Sequence, residues 1–255
     1  MATTGSSSDT RLDEISDGIF RISTPVPPSA MPGGFSFNQY LIVDDAPLLF
    51  HTGLRRTFPA VRDAIARVLP PERLRYIGFS HFEADECGAL NDFLAIAPQA
   101  EPLCGRVAAL VSVQDYADRP PRALGDRERV SLGRHDVHWR DAPHLPHAWE
   151  CGFLMETTTR TLLCGDLFTQ PGHDTVPLTE GDILGSSETM RSGLDYFSHA
   201  VNSRQMIERL AAERPTTLAC MHGSAWHGDG ATLLRALADR LESTQPDPAR
   251  QVIAG

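Results

Sequence analysis

The chain has 255 residues, 41% of them hydrophobic and 22% charged, with a formal net charge of −10. That length suits one large domain with a sizeable core, and an acidic balance without a basic stripe excludes the electrostatics of nucleic-acid or anionic-membrane binding. The five cysteines (Cys87, Cys104, Cys151, Cys164, Cys220) include no CxxC pair, the N-terminus lacks an apolar signal core, and no apolar run nears the length of a membrane helix; a reducing, cytoplasmic compartment is expected, with no disulfide framework and no membrane contact.

Residues 1–10 are small and polar and read as a disordered tail, so structure is expected to begin with a strand within 15–22. A Pro/Gly-rich loop over 25–34 precedes two strand-like runs, 38–43 and 47–50, whose separating turn predicts a hairpin. Val61, Ile65 and Val68 fall on one face of a helix predicted over 58–68 and ended by Pro70-Pro71. A short buried-type strand, 75–79, runs directly into Ser80-His81, and a helix is predicted over 87–96. A strand–helix unit follows around 101–112, then strands at 129–131 and 136–139, a histidine-rich loop, and a hairpin of 153–157 with 160–164. A long helix over 195–214, a strand over 217–221 and a last helix over 230–241 complete the domain, expected to span 11–245, with a loose tail at 246–255. Strands pairing as hairpins, rather than alternating strictly with helices, favour an α/β four-layer αββα sandwich in one domain over a doubly wound parallel sheet.

Four metal-competent side chains crowd into six residues: His81, Glu83, Asp85 and Glu86. In an extended segment residues i, i+2 and i+4 point the same way, so His81, Glu83 and Asp85 are expected to converge on one point or on two adjacent ones. Asp85 and Glu86 also suit the first turn of the following helix, where negative charge is favoured. Three later segments repeat the theme of such a side chain after a short apolar run: Pro143-His144-Leu145-Pro146-His147, Leu162-Leu163-Cys164-Gly165-Asp166 and Leu218-Ala219-Cys220-Met221-His222-Gly223.

Together these words resemble the metallo-β-lactamase superfamily and, more narrowly, the di-iron core of the flavodiiron proteins and the stand-alone oxygen-binding di-iron proteins. Hydrolytic members carry HxHxDH in the first loop; the di-iron branch carries HxExD, and Glu83 stands at that place. The resemblance implies a metallo-β-lactamase sandwich in which one metal takes His81, Glu83 and His147, the other takes Asp85, His222 and Glu86, and Asp166 bridges them. A carboxylate-rich set without thiolate suits iron, or manganese, better than the histidine-rich sets of zinc, which stays the alternative. Glu86 departs from the pattern, since the family usually has a histidine ligand there. His51 stands where many relatives have an aspartate and is expected to orient a ligand from behind; His144 competes with His147, and His173 is a candidate for the pocket wall near Asp166.

The expected function is binding or reduction of O2 or NO at two iron ions, as an oxidoreductase served by a separate flavoprotein donor or as an oxygen sensor. The chain shows no phosphate-cradling Gly-rich loop of a flavin domain of its own and no rubredoxin CxxC site. The family's habit of pairing implies a homodimer. Alternatives are a metal-dependent hydrolase of esters, lactones or thioesters and a di-iron oxygenase.

Overall fold

The computed structural model describes residues 9–244. The expected tails, apart from Asp9 and Thr10, lie outside the described residues. Structure begins earlier than expected: β1 (Arg11–Ser16) is an edge strand with one buried residue, so its sequence carries no apolar alternation to announce it. Asp17-Gly18 turns it into β2 (Ile19–Val26), with Gly18 at φ +68°, the conformation a two-residue hairpin demands. β3 (Phe35–Ile42) and β4 (Leu48–Phe50) form the expected antiparallel hairpin, with Ile42 opposite Leu48.

From β4 onward the first sheet changes to parallel pairing, through β5 (Tyr76–Gly78), β6 (Glu101–Gly105) and β7 (Arg122–Leu124). The connections are helical: α1 (Phe58–Ile65), then α2 (Ala84–Cys87) and α3 (Leu90–Ile96), then α4 (Arg106–Ala108) and α5 (Gln114–Tyr116) joined by a π-helical stretch, Ala109–Val113. The second sheet contains β8 (Arg129–Ser131), β9 (Asp136–Asp141), β10 (Gly152–Glu156), β11 (Thr161–Leu163), β12 (Leu178–Thr179), β13 (Thr217–Ala219) and β14 (Ala225–His227). Its spatial order is β12-β14-β13-β11-β10-β9-β8, and each sheet has seven strands.

Of the long helix expected over 195–214 only α7 (Ser203–Ala211) forms, and a further helix that was not expected, α6 (Leu184–Leu194), precedes it. Asp195 takes a left-handed conformation, φ 46°, and stops α6. α6 buries only Ser187 and Arg191, so it has no apolar stripe that a reading of periodicity would detect. The last helix is α8 (Gly230–Thr244).

Three apolar layers make the sandwich. Tyr40, Phe50, Leu103, Trp139, Leu154 and Leu163 interleave between the two sheets. Helices α1 and α3 cover the outer face of the first sheet through Val61, Ile65, Phe93 and Leu94. Helices α7 and α8 cover the second through Ile207, Leu210, Leu234 and Leu237. All five cysteines are buried and free. Among the described residues no helix is long and apolar enough to cross a membrane.

This topology aims four segments at one end of the sandwich. His51, His81, Asp166 and His222 each follow the C-terminal end of a strand in parallel pairing, β4, β5, β11 and β13. His147 reaches the same place from the β9–β10 loop. Polar contacts between the sheets hold the segments in register there: Gly152 N–H donates to Ser80 O at 2.9 Å, Asn38 N–H to Met221 O at 2.9 Å, and Tyr40 O–H to Cys220 O at 2.7 Å.

Candidate metal centre

β5 ends at Gly78, and the chain then bends through Ser80, His81 and Phe82, with Glu83 N–H donating to His81 O at 3.2 Å, before Glu83, at φ −136° and ψ 158°, leads into α2. The bend brings the two side chains together, with His81 Nε2 2.8 Å from Glu83 Oε2. The expected extended alternation is thus already lost at Ser80, before α2 starts at Ala84. Asp85 is already helical and aims elsewhere, with Oδ2 3.5 Å from His222 Nε2.

His147 completes the first group: its Nε2 is 3.0 Å from His81 Nε2, 3.2 Å from Glu83 Oε2 and 3.4 Å from Asp166 Oδ2. Ligand atoms of His81, Glu83, His147 and Asp166 all lie within 4.8 Å of one another. Asp166 faces two ways. Its Oδ2 belongs to this group, while Oδ1 sits 3.1 Å from His222 Nε2, beside Asp85.

Two tautomers follow from geometry. His147 Nδ1–H donates to Tyr196 O at 2.9 Å, and His222 Nδ1–H donates to Ser36 O at 2.8 Å. A carbonyl only accepts, so each Nδ1 keeps its proton and the neutral ring has its lone pair at Nε2, the disposition of a metal-binding imidazole; in the protonated ring Nε2–H donates to the carboxylates instead. The electrostatics also invite positive charge. Burial would depress the imidazoles of His81, His147 and His222, yet a hydrogen bond with Cys151 at His81 and neighbouring carboxylates at all three reverse this and raise them. Hydrogen bonds from His147 and His81 bring the Glu83 carboxyl down to about 2. Burial pushes Asp166 upward, but the surrounding imidazoles, His222 foremost, hold it well below the usual carboxylate range. Asp85 goes the other way, raised to about 6 by burial and by Glu86.

A cation fits this arrangement. Asp166 is 6% exposed, and its Oδ1 has no aligned hydrogen-bond donor despite the nearby imidazole. Two imidazole nitrogens 3.0 Å apart beside two carboxylates make a poor hydrogen-bond network and a good donor set. Nitrogen and oxygen donors without thiolate are compatible with iron or manganese, and with zinc as well.

The remaining candidates lie outside this gathering. Glu86 is wholly buried, and its carboxylate turns to His51 Nε2 through Oε2 and to His81 Nδ1, at 3.8 Å, through Oε1. That is the opposite edge of the His81 ring from the nitrogen meeting Glu83 and His147. His51 is also wholly buried. His144 is exposed beside a cavity lined with Ser198 and Asn202, and His173 is exposed and packs on Gly34; neither meets Asp166. The carbonyls of Tyr196 and Ser36, which set the two tautomers, carry no sequence signal because any residue type offers one.

The model of the family described as ODP family beta lactamase matches residues 35–223. A nitric oxide reductase of Moorella thermoacetica is 25% identical over 230 residues, which is 87% of this chain and 56% of that protein. A rubredoxin-oxygen oxidoreductase of Megalodesulfovibrio gigas is 25% identical over 236 residues, again 87% of this chain and 56% of the relative. The chain thus spans about half the length of these curated relatives. Among solved structures, a metal-soaked flavodiiron core from Synechocystis superposes with a TM-score of 0.78 at 19% identity, covering 92% of this chain and 61% of that one. The flavodiiron protein of Giardia intestinalis gives 0.76 at 19% identity, covering 92% and 60%. These likenesses show the shared fold, a metallo-β-lactamase-type sandwich. With a family model that reaches into both sheets and takes in every residue of the gathered site, this chain belongs to the ODP family beta lactamases.

Proposed function

We propose that the chain is a di-iron protein that binds or reduces O2 or NO. In this reading His81, Glu83, His147 and Asp166 hold one iron, Asp85 and His222 hold the other, and Asp166 lies between them. The observation that carries it is the two-faced Asp166 carboxylate, buried, with an oxygen on each of two histidine-containing groups. Paired ferrous ions supply electrons and open coordination positions for a diatomic ligand.

The chain's own residues prepare the site. Tyr196 O and Ser36 O fix His147 and His222 with Nε2 inward, so neither ring has to reorient. Glu83, Asp85 and Asp166 supply negative charge that offsets two divalent ions. Glu83 has a side chain 54% exposed and His147 one 29% exposed, so these two stand at the mouth, while Asp166 and His222 form the floor. The relatives named as nitric oxide reductase and rubredoxin-oxygen oxidoreductase support O2 or NO as the ligand and a separate redox protein, a flavoprotein or rubredoxin, as electron donor.

The test is anaerobic purification, metal counting and exposure to O2. About two irons per chain and a yellow-brown absorption band on oxygenation are expected. A colourless zinc protein that turns over lactone or thioester probes would replace this reading with hydrolysis.

A further inference from the structure

Glu86 and His51 are unusual among the buried polar residues. Both are wholly buried, and apart from each other their side chains have little. Among the described residues the ion-pair contacts of Glu86 are with His51 and, at 3.8 Å, with His81 Nδ1. No such contact reaches His222, the imidazole that Asp85 and Asp166 both approach. The backbone reinforces the pairing. Thr52 N–H donates to Glu86 O at 2.7 Å, Ala89 N–H donates to Gly53 O at 3.2 Å, and His51 N–H donates to Gly78 O at 2.8 Å. His51 is held at φ +67° with its ring 4.3 Å from that of Phe50. Segments 51–53 and 86–89 are therefore tied together at main chain and side chain alike, and the Glu86 carboxylate is committed before any ion arrives.

We infer that Glu86 is a positioning residue rather than a ligand, held by His51 behind the His81 ring, and that the two metal positions are consequently unequal. This rests on the two-metal reading above. The first position takes four donors from the chain, His81, Glu83, His147 and Asp166. The second takes three, Asp85, Asp166 and His222, one of them shared. Fewer protein donors mean weaker binding and more positions left to solvent or an exogenous ligand. The centre fills in two steps, and the second ion is the exchangeable one. Glu86 acts on the first ion only indirectly: with Ser80 Oγ, 3.0 Å from Nδ1, it lies on the rear edge of the His81 ring and fixes the direction of Nε2.

The experiment is anaerobic calorimetric titration of metal-free protein with Fe(II), repeated with Co(II) for its visible bands. Wild type should bind one ion tightly and a second at least about tenfold more weakly. Asp85→Ala should abolish the second step and leave the first. Glu86→Gln should keep both steps, because no donor is lost, but should weaken the first by about tenfold or more through the His81 ring and leave the second within about threefold. Should Glu86→Gln fail to fold, the wild-type titration and Asp85→Ala decide. Two ions of indistinguishable affinity in wild type, or one ion only in Glu86→Gln, overturn the inference and leave the two-metal reading standing. A wild-type chain that binds no metal overturns both.

Discussion

Replacing His51 with phenylalanine tests the buried pair without any metal. The Glu86 carboxylate is wholly buried, and neither of its oxygens has an aligned hydrogen-bond donor in the described structure. Phenylalanine fills the imidazole's volume, carries a side chain at φ +67° just as histidine does, and offers Glu86 nothing. Removing one partner of a buried pair strands the other charge and costs about 3–5 kcal/mol. In a domain of this size each kcal/mol moves the melting temperature by roughly 2–4 °C, so a fall of about 6–20 °C is expected in metal-free protein at pH 7. Replacing both members, His51→Phe with Glu86→Met, removes the stranded carboxylate and should recover most of the loss. Calorimetry and urea denaturation of the four proteins close the cycle. A loss below about 1 kcal/mol in the single variant, or a double variant no better than the single one, would refute the claim that the two side chains depend on each other.

Asp166→Ala removes the carboxylate shared by both groups, and bound metal should fall from about two ions per chain to below one, by elemental analysis after gel filtration. Glu156 accepts hydrogen bonds from the Thr158 and Thr159 amides and the Thr159 hydroxyl at the β10–β11 turn, and it meets His135 at 3.1 Å. Burial pushes its carboxyl up, but these hydrogen bonds win and hold it below its ordinary 4.5. A depressed carboxyl stabilises above its unfolded value and loses that contribution as pH falls through the folded one. Glu156→Gln should therefore cost about 1–3 kcal/mol at pH 7, and the difference from wild type should vanish under acid; a constant difference across the titration would contradict this. Gly152→Ala puts a methyl group 2.2 Å from Trp139 Cζ2, inside a ring that is 1% exposed. A loss of about 1–3 kcal/mol is expected in thermal unfolding, because neither β10 nor the ring has room to retreat.

What could be read from the residues followed the strength of their local signals. The helix predicted over 58–68 was found as α1, because Val61 and Ile65 turn inward at helical spacing. The hairpin of β10 and β11 was found because two apolar runs flank a turn. β1 and α6 went undetected because each is mostly solvated and has no periodic apolar face. At the site, the grouping of His81 with Glu83 could be read from their spacing, although a bent segment rather than an extended one brings them together. Asp85 lies beside His222, in the second of the two adjacent groups, because α2 begins one residue before it and turns it away from His81 and Glu83. The contact of His51 with Glu86 could not be read at all. The two are far apart in sequence and share no repeat, and only the pairing of β4 with β5 brings them face to face.

The donors come from both sheets. His81, Glu83 and Asp85 follow β5 in one, while His147, Asp166 and His222 belong to the connections of the other. Neither half of the chain owns a complete coordination position. An ion held there works as a rivet across the seam of the sandwich, and its binding free energy is shared with the closing of the two halves. A chain severed between β7 and β8 would yield two fragments carrying three donors each, and metal would favour their reunion. Loss of metal, conversely, would be felt first as a loosening of one sheet against the other, well before either sheet unfolds.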